Sequence, residues 1–201
     1  MFTTKKFIHL SLAMFLCGLL ASASHAAGKR ERGESSVDQA YAAAAEELEI
    51  EESNLKELLI EEMIGNIIVD YDKNGILVTL DTVNSKDYNV GDIHLFISEA
   101  KVDGKVVAHG LTGKETAENN NLHIYREVQV GTANYNIIDE DGLYIMVRMI
   151  ERAVENTGFW IDYNWINPES GEVALRKSYF VLHDGYLFVA GYYPEDKTDE
   201  L

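Results

Sequence analysis

Apolar residues recur every three or four positions between residue 36 and about residue 71, which predicts a long helix. They are Val37, Tyr41, Ala44, Leu48, Leu55, Leu59, Met63 and Ile67. This spacing places them on one face, and Ser36 with Gln39 three residues later has the form of a capping box at the start. The opposite face is rich in glutamate. We interpret it as a solvated surface, with a calcium or cationic-partner surface as the alternative.

Beyond residue 71 the pattern changes to short apolar segments separated by turn residues, as expected for a sheet. The predicted strands are residues 92–98, 105–108, 122–130, 160–166, 174–182 and 186–193. Residues 167–171 and 183–185 have the composition of hairpin turns. Leu143, Val147, Ile150 and Val154 share one helical face and predict a short helix over residues 142–156. A long N-terminal helix followed by a mostly antiparallel sheet is an α+β architecture.

The first 26 residues differ from the rest of the chain. Lys5 and Lys6 precede an apolar run of about 15 residues, which is short for a membrane span. Small residues then lead to Ala23 or Ala26, and both are acceptable cleavage sites. This is the layout of a secretory signal peptide. We therefore expect a periplasmic protein, with residues 27–35 disordered, a single domain over residues 36–193, an acidic tail over residues 194–201, and no membrane span after cleavage.

The charge of the chain restricts its partners. It has 17 basic and 34 acidic residues, a formal net charge of −17, whereas nucleic acids and anionic lipids are bound through basic surfaces. The acidity is uneven, because residues 34–72 contain twelve acidic and one basic residue, while residues 143–193 contain six acidic and four basic ones. The charge thus excludes polyanionic partners without opposing a small anionic ligand in the second half of the chain.

The most distinctive part of the sequence begins at Gly158. In chain order it reads GFWIDYNWINPESG over residues 158–171, RKSYFV over residues 176–181 and VAGYY over residues 189–193. Upstream, the chain carries Gly91-Asp92, Asp103-Gly104, Gly113-Lys114 and an Asp-x-x-Gly element over residues 139–142. In this order the elements resemble the single-Cache domain (Cache type 2) of bacterial sensor proteins, over about residues 36–193. The chain departs from that pattern in having His109-Gly110 for His-Pro and His94 for a strand tyrosine.

The resemblance implies a PAS-like Cache fold, in which a long helix packs on an antiparallel sheet of five or six strands. It also implies a small-molecule pocket on the sheet face away from that helix, often for short carboxylates. Most members are sensing parts of transmembrane chemoreceptors or kinases. Here it implies a free-standing periplasmic form that responds to a small organic ligand and serves a membrane sensor kinase, a chemoreceptor or a transporter.

Arg176 and Lys177 are the cationic candidates for a carboxylate site. Arginine offers a planar fork of donors that matches a carboxylate, and lysine offers a point charge. Adjacent residues on a strand face opposite sides of a sheet, so only one of the two can line a pocket. The resemblance favours Arg176, and Tyr179 then faces away from it unless the strand is bulged.

Aromatic residues could form the walls of the site. Trp160, Tyr163 and Trp165 have the apolar bodies and polar tips that small-molecule sites use. By alternation Trp160 faces opposite to the other two, and the sequence leaves open which set lines the ligand. The alternative is that these rings are sheet core and Arg176 is a surface residue. The candidate site also includes His109 and Tyr144.

Catalytic and metal-binding patterns are missing from the sequence. His94, His109 and His123 lie on three segments without ligand spacing, and no nucleophile elbow, zinc-protease or phosphate-loop motif occurs. We therefore predict a non-enzymatic periplasmic protein, without metal or cofactor, that binds a small organic anion. The alternative is a ligand-free protein-interaction module on a Cache scaffold, and a periplasmic enzyme is the third hypothesis.

Overall fold

The computed structural model describes residues 52–85, 88–90, 93–110, 130–139, 141–167, 170 and 172–194. The predicted signal peptide, residues 27–35, the first half of the long helix and residues 195–201 lie outside these ranges, as does the predicted strand 122–130 apart from Val130. The chain divides into two compact units, Met1–Glu62 and Met63–Leu201. The described part of the first unit is helical, and the sheet belongs to the second.

The predicted long helix is present as α1, Glu52–Asn74. It ends at Gly75, which has a φ of 79° and a ψ of 169° and donates its N–H to the Tyr71 carbonyl at 2.8 Å. Glycine adopts a positive φ more easily than any other residue. This conformation ends α1 at Gly75, and a second helix begins directly after it.

A second helix, α2, follows at once over Ile76–Asn84, and the sequence analysis did not predict it. Its composition of isoleucine, valine and threonine is more typical of strands. The helix forms because Thr79 and Val83 are buried. In addition, the hydroxyls of Thr79 and Thr82 bond to the carbonyls of Gly75 and Val78 at 3.1 and 2.9 Å. Tertiary burial has overridden local propensity here.

Five strands within the described residues form one antiparallel sheet with the order β2-β1-β5-β4-β3. They are β1 His94–Glu99, β2 Val106–His109, β3 Gly158–Ile166, β4 Val173–His183 and β5 Tyr186–Tyr192. The α+β class is confirmed, and each of these strands lies within about two residues of its predicted place. Asp184 and Gly185 both have positive φ values, as a two-residue hairpin between β4 and β5 requires.

The two faces of this sheet pack against different helices. On the α1 face, the ring of Tyr71 lies 5.8 Å from that of Phe188 and 6.2 Å from that of Tyr186. The opposite face is covered by helix α3, Ile145–Arg152, and we call it the α3 face. Its apolar core includes Phe96, Ile161, Tyr163, Phe180, Leu187 and Val189.

Helix α3 is shorter than predicted and buries a different face. Leu143 and Val154 are 41% and 55% exposed, whereas Ile145, Met146 and Met149 are buried. The predicted apolar face is wrong because Leu143 and Val154, its first and last residues, lie outside the helix. The Ile145 N–H donates to the Ile137 carbonyl at 3.1 Å, so the start of α3 is set by a contact with a preceding segment rather than by helical periodicity.

His183 joins the end of α1 to the β4–β5 hairpin. Its Nε2 lies 2.8 Å from Asp72 Oδ1, and its Nδ1 lies 2.7 Å from Asn156 Oδ1. Beside it the Tyr71 hydroxyl donates to Asp184 Oδ2. This hydrogen bond, followed by burial, raises the pKa of Tyr71 to about 12, so the phenol remains a donor. The contacts tie α1 to the sheet by polar groups as well as by packing.

We expect His183→Ala to lower the free energy of unfolding by about 1–3 kcal/mol, because it removes two hydrogen bonds and the ring contacts with Tyr71 and Phe188. Urea unfolding at neutral pH measures the change. The control is Lys101→Ala, which removes only the exposed ion pair with Glu99 at 3.4 Å and should cost at most about 0.5 kcal/mol. Equal effects of the two variants would contradict the structural role of His183.

Candidate functional site

Arg176 lies on the α3 face and is buried, with only 3% of its surface exposed. Its Nη2 donates to the Gly191 carbonyl at 3.3 Å, and its Cζ lies 4.9 Å from the centre of the Tyr193 ring. The Tyr193 hydroxyl donates to the Ile166 carbonyl at 2.7 Å. Since β4 lies between β5 and β3, the Tyr193 ring therefore crosses over the guanidinium. The α3 face thus contains a cation held by a carbonyl and an aromatic ring.

Two hydroxyl groups lie beside this cation. Tyr163 pairs with Arg176 in the β3–β4 register, and its hydroxyl is 2.9 Å from that of Ser178, where either oxygen can donate. Burial raises the pKa of Tyr163, while the Arg176 charge and the hydrogen bonds from Ser178 and Arg176 oppose that rise. The phenol remains protonated at neutral pH, so both groups can donate to an anion as well as accept.

His109 adds a neutral ring to the same face. It pairs with Phe96 in the β1–β2 register, and its ring centre lies 5.7 Å from that of Phe96 and 5.4 Å from that of His94. Burial, assisted by the positive charge of Arg176, lowers the pKa of His109 to about 4. The imidazole is therefore uncharged at neutral pH and leaves the positive charge on Arg176.

Trp165 provides an apolar wall on this face. Its ring lies edge-on to that of Tyr163 at 6.1 Å, and the side chain packs against the core of the α3 face. Alternation along β3 therefore places Tyr163 and Trp165 together with Arg176. Of the two aromatic sets between which the sequence left a choice, this pair shares a face with Arg176, and which set lines a ligand stays a prediction.

Three other predicted site residues lie on the opposite face. Trp160 contacts the rings of Tyr179 and Tyr192 at 5.2 and 6.3 Å, and the Lys177 Nζ lies 5.8 Å from the centre of the Trp160 ring. These contacts belong to the α1 face, so Trp160, Lys177 and Tyr179 cannot share a site with Arg176. β4 has no bulge between Arg176 and Tyr179 in its register with β3.

Tyr144 lies apart from both groups. It is 51% exposed, immediately precedes helix α3 and forms a bridge with Ile138. The structure thus brings together four of the eight predicted residues, Arg176, Tyr163, Trp165 and His109. Their role in binding a ligand stays a prediction.

Two residues of this cluster, Ser178 and Tyr193, were not predicted from the sequence. Ser178 follows Arg176 by two positions, so alternation alone could have placed it on the same face. Tyr193 follows the last residue of β5, and its ring lies over the Arg176 guanidinium, a contact that depends on the pairing of β4 with β5. His94 was noted from the sequence as a departure from the family pattern and considered as a metal ligand, but not as a site residue, and it lies beside His109.

In the part of the chain that the structure describes, no group of three or more histidine, cysteine, aspartate or glutamate residues has the arrangement of a metal site. None of the helices in the same part combines the length and the apolar character needed to cross a membrane.

Solved structures similar to this one include two chemotaxis proteins and a Cache chemosensory domain. The chain superimposes on a methyl-accepting chemotaxis protein from Vibrio parahaemolyticus RIMD 2210633 with a TM-score of 0.50 and 14% identity, over 76% of this chain and 95% of that one. The periplasmic sensor domain of a chemotaxis protein matches with a TM-score of 0.45 and 15% identity, over 71% and 94% of the two chains. A Cache chemosensory domain described for carboxylic acid recognition gives 0.43 and 13%, over 96% and 100%.

At these identities the likeness is one of fold. No protein-family profile matches the sequence, and no curated protein does. The fold that the resemblance to Cache sensor domains predicts is confirmed, because the chain shares its fold with the methyl-accepting chemotaxis protein.

We expect His109 to make the stability of the protein sensitive to acid. A histidine in the unfolded chain has a pKa near 6.5, whereas burial and Arg176 lower that of folded His109 to about 4. Between these values the unfolded state binds more protons, so the stability present above about pH 6.5 is lost as the pH falls towards 4. In His109→Gln this loss should be smaller than in the wild type by up to roughly 3 kcal/mol between pH 7 and pH 4.

Urea unfolding at pH 7, 5.5 and 4 measures this difference. Tyr163→Phe is the matched control, because it changes a buried polar group of the same face that does not titrate in this range. Parallel pH profiles of the wild type and His109→Gln would show that His109 is not buried as a neutral ring.

Proposed function

We propose that this protein is an exported, non-enzymatic sensor that binds a small organic anion, such as a short carboxylate, on the α3 face of its sheet. The observation that carries the proposal is the buried guanidinium of Arg176, with the hydroxyls of Tyr163 and Ser178 and the ring of Trp165 on the same face. The layout of residues 1–26 supports export.

The chemistry of this cluster suits a single carboxylate. A guanidinium can bind the two carboxylate oxygens side by side, and the pairing is stronger where water is excluded. Neutral hydroxyl donors complete the hydrogen bonding of the anion without adding charge. Among the described strand residues of the α3 face, Arg176 is the one that carries a permanent positive charge, since His109 is neutral at neutral pH. The cluster therefore matches one negative charge better than two.

Binding on this face can be transmitted to a partner through the sheet. The α3 face and the α1 face share the same five strands, and His183 and Tyr71 fasten the end of α1 to the hairpin that follows β4. A ligand that binds one arrangement of these strands better than another shifts the population towards that arrangement. We propose that a membrane sensor kinase, a chemoreceptor or a transporter reads this shift.

One observation favours a second candidate, the ligand-free interaction module. Arg176 is held by groups of its own chain, the carbonyl of Gly191 and the ring of Tyr193. In this alternative the charge is a structural element of the α3 face, and the scaffold acts only through its surfaces.

A matched pair of neighbouring cations separates the two candidates. In isothermal titration and thermal-shift measurements with a panel of acetate, propionate, pyruvate and lactate, we expect Arg176→Lys to weaken binding at least about tenfold, because it loses the two-pronged contact. Lys177→Met should bind like the wild type, because Lys177 lies on the other face. A urea unfolding curve for each variant confirms that it is folded.

Two results would contradict the proposal. If none of the panel binds to the folded wild-type protein, the interaction module is the better account. If Lys177→Met loses binding and Arg176→Lys keeps it, the ligand lies on the α1 face instead.

A further inference from the structure

Asp139 is a buried carboxylate with one oxygen that accepts no hydrogen bond. The residue is only 6% exposed, and its Oδ1 accepts the backbone N–H groups of Asp141 and Leu143 at 3.0 and 2.7 Å. Its Oδ2 has no partner, which singles it out among the buried side-chain oxygen and nitrogen atoms of the described residues. A buried carboxylate oxygen without a donor is costly, and native proteins keep few of them.

The turn around this carboxylate lies at the surface. Ile138 and residues 141–144 are exposed, whereas Asp139 between them is buried. The Asp139 N–H donates to the Leu143 carbonyl, and the Gly142 N–H donates to the Asp139 carbonyl, both at 3.0 Å. Gly142 has a φ of 79°, which lets the backbone turn back on itself. The turn therefore closes on its own carboxylate, and Oδ2 belongs to a buried group within an exposed segment.

The negative charge of this turn has no counter-charge among the described residues. Asp139, Glu140 and Asp141 are consecutive in the sequence, and none of the ion pairs in the described ranges includes Asp139 or Asp141. A buried carboxylate is stable as an anion when a cation or several donors satisfy both of its oxygens. A bound cation would satisfy Oδ2 and offset the charge of the turn at once.

Two further side chains bring oxygen atoms to the same turn. Asn164 of β3 donates from Nδ2 to Asp141 Oδ2 at 2.8 Å. This bond uses one oxygen of Asp141 and the amide nitrogen of Asn164, so Oδ1 of each side chain remains available as a ligand. Calcium binds carboxylate and amide oxygens and fills its six to eight positions with backbone carbonyls and water. It therefore does not require a group of three acidic residues or histidines.

We propose that the turn over residues 139–143 binds a calcium ion, with Oδ2 of Asp139 as the buried ligand and Asp141 and Asn164 as its neighbours. Magnesium fits this turn less well, because it gives up its water reluctantly and demands a regular octahedron. Zinc prefers nitrogen and sulfur ligands, and the side chains named here offer oxygen. This site lies outside the proposed anion cluster and does not depend on the proposed function.

The position of the turn gives the ion a structural effect. The turn directly precedes α3, and Ile137 and Ile145 on either side of it belong to the core of the α3 face. Asn164 belongs to β3, the last strand of the sheet. A calcium ion held by both segments connects the start of α3 to that strand. Calcium thus tightens the helix that covers this face, whether or not an anion is bound there.

Calcium titration of the full, chelator-treated chain tests the proposal. Isothermal titration should show one site with a dissociation constant of about 0.1–1 mM, the range of extracellular calcium modules. In thermal unfolding, 10 mM calcium chloride should raise Tm by at least about 3 °C above sodium chloride of equal ionic strength. The sodium reference is needed because screening alone stabilises so acidic a chain. Magnesium chloride at 10 mM should give a smaller rise.

Asp139→Asn tests the buried ligand. Its amide oxygen can still accept the N–H groups of Asp141 and Leu143, so the turn is retained, while an amide nitrogen that cannot bind a cation replaces Oδ2. The rise in Tm with calcium should be lost. Asp81→Asn is the matched control, because it removes the same charge from an exposed position of α2, and it should keep the rise. Urea unfolding verifies that both variants are folded.

Three results would contradict the calcium site. The first is a wild-type protein whose Tm rises no more with calcium than with sodium. The second is an Asp139→Asn variant that keeps the calcium-dependent rise. The third is an equal loss of the rise in Asp81→Asn and Asp139→Asn, which would show that calcium acts on the net charge of the surface rather than at this turn.

Discussion

The buried positive charge of Arg176 is the constraint around which the α3 face is arranged. A guanidinium removed from water must be surrounded by acceptors or aromatic faces, because an unsolvated charge is strongly unfavourable. β4 lies between β5 and β3, so these groups come from both sides: the Gly191 carbonyl and the Tyr193 ring from one, and Tyr163 from the other. The same charge helps to lower the pKa of His109 and opposes the rise in that of Tyr163.

This arrangement explains why the α3 face is polar at its centre and apolar around it. Phe96, Phe180, Leu187 and Val189 form the surrounding core, and α3 covers it with Ile145, Met146 and Met149. A low-polarity surround strengthens each hydrogen bond within the cluster and makes an unpaired group expensive. The unpaired oxygen of Asp139, at the border of the same face, stands out against an otherwise satisfied set of buried side chains in the described residues.

The errors of the sequence analysis have a common origin. Helix α2 was missed because its β-branched residues favour strands locally, and burial of Thr79 and Val83 reverses that preference. The buried face of α3 was predicted wrongly because periodicity was extended beyond the ends of the helix, which lie at the hydrogen bond from Ile145 to Ile137 and at the extended backbone of Ala153. In both cases a contact between segments distant in sequence outweighed a local tendency.

The sequence by itself determined helix α1, the strand segments, the hairpin at Asp184-Gly185 and the orientation of Arg176 opposite to Lys177 and Tyr179. Each of these depends on residues within a few positions of one another, through periodicity, turn chemistry or the alternation of a strand. Only the tertiary structure decided that Tyr163, Trp165 and His109 join Arg176 while Trp160 does not. Alternation says which residues share a face of one strand, but the register between strands and the helix that covers each face are long-range contacts.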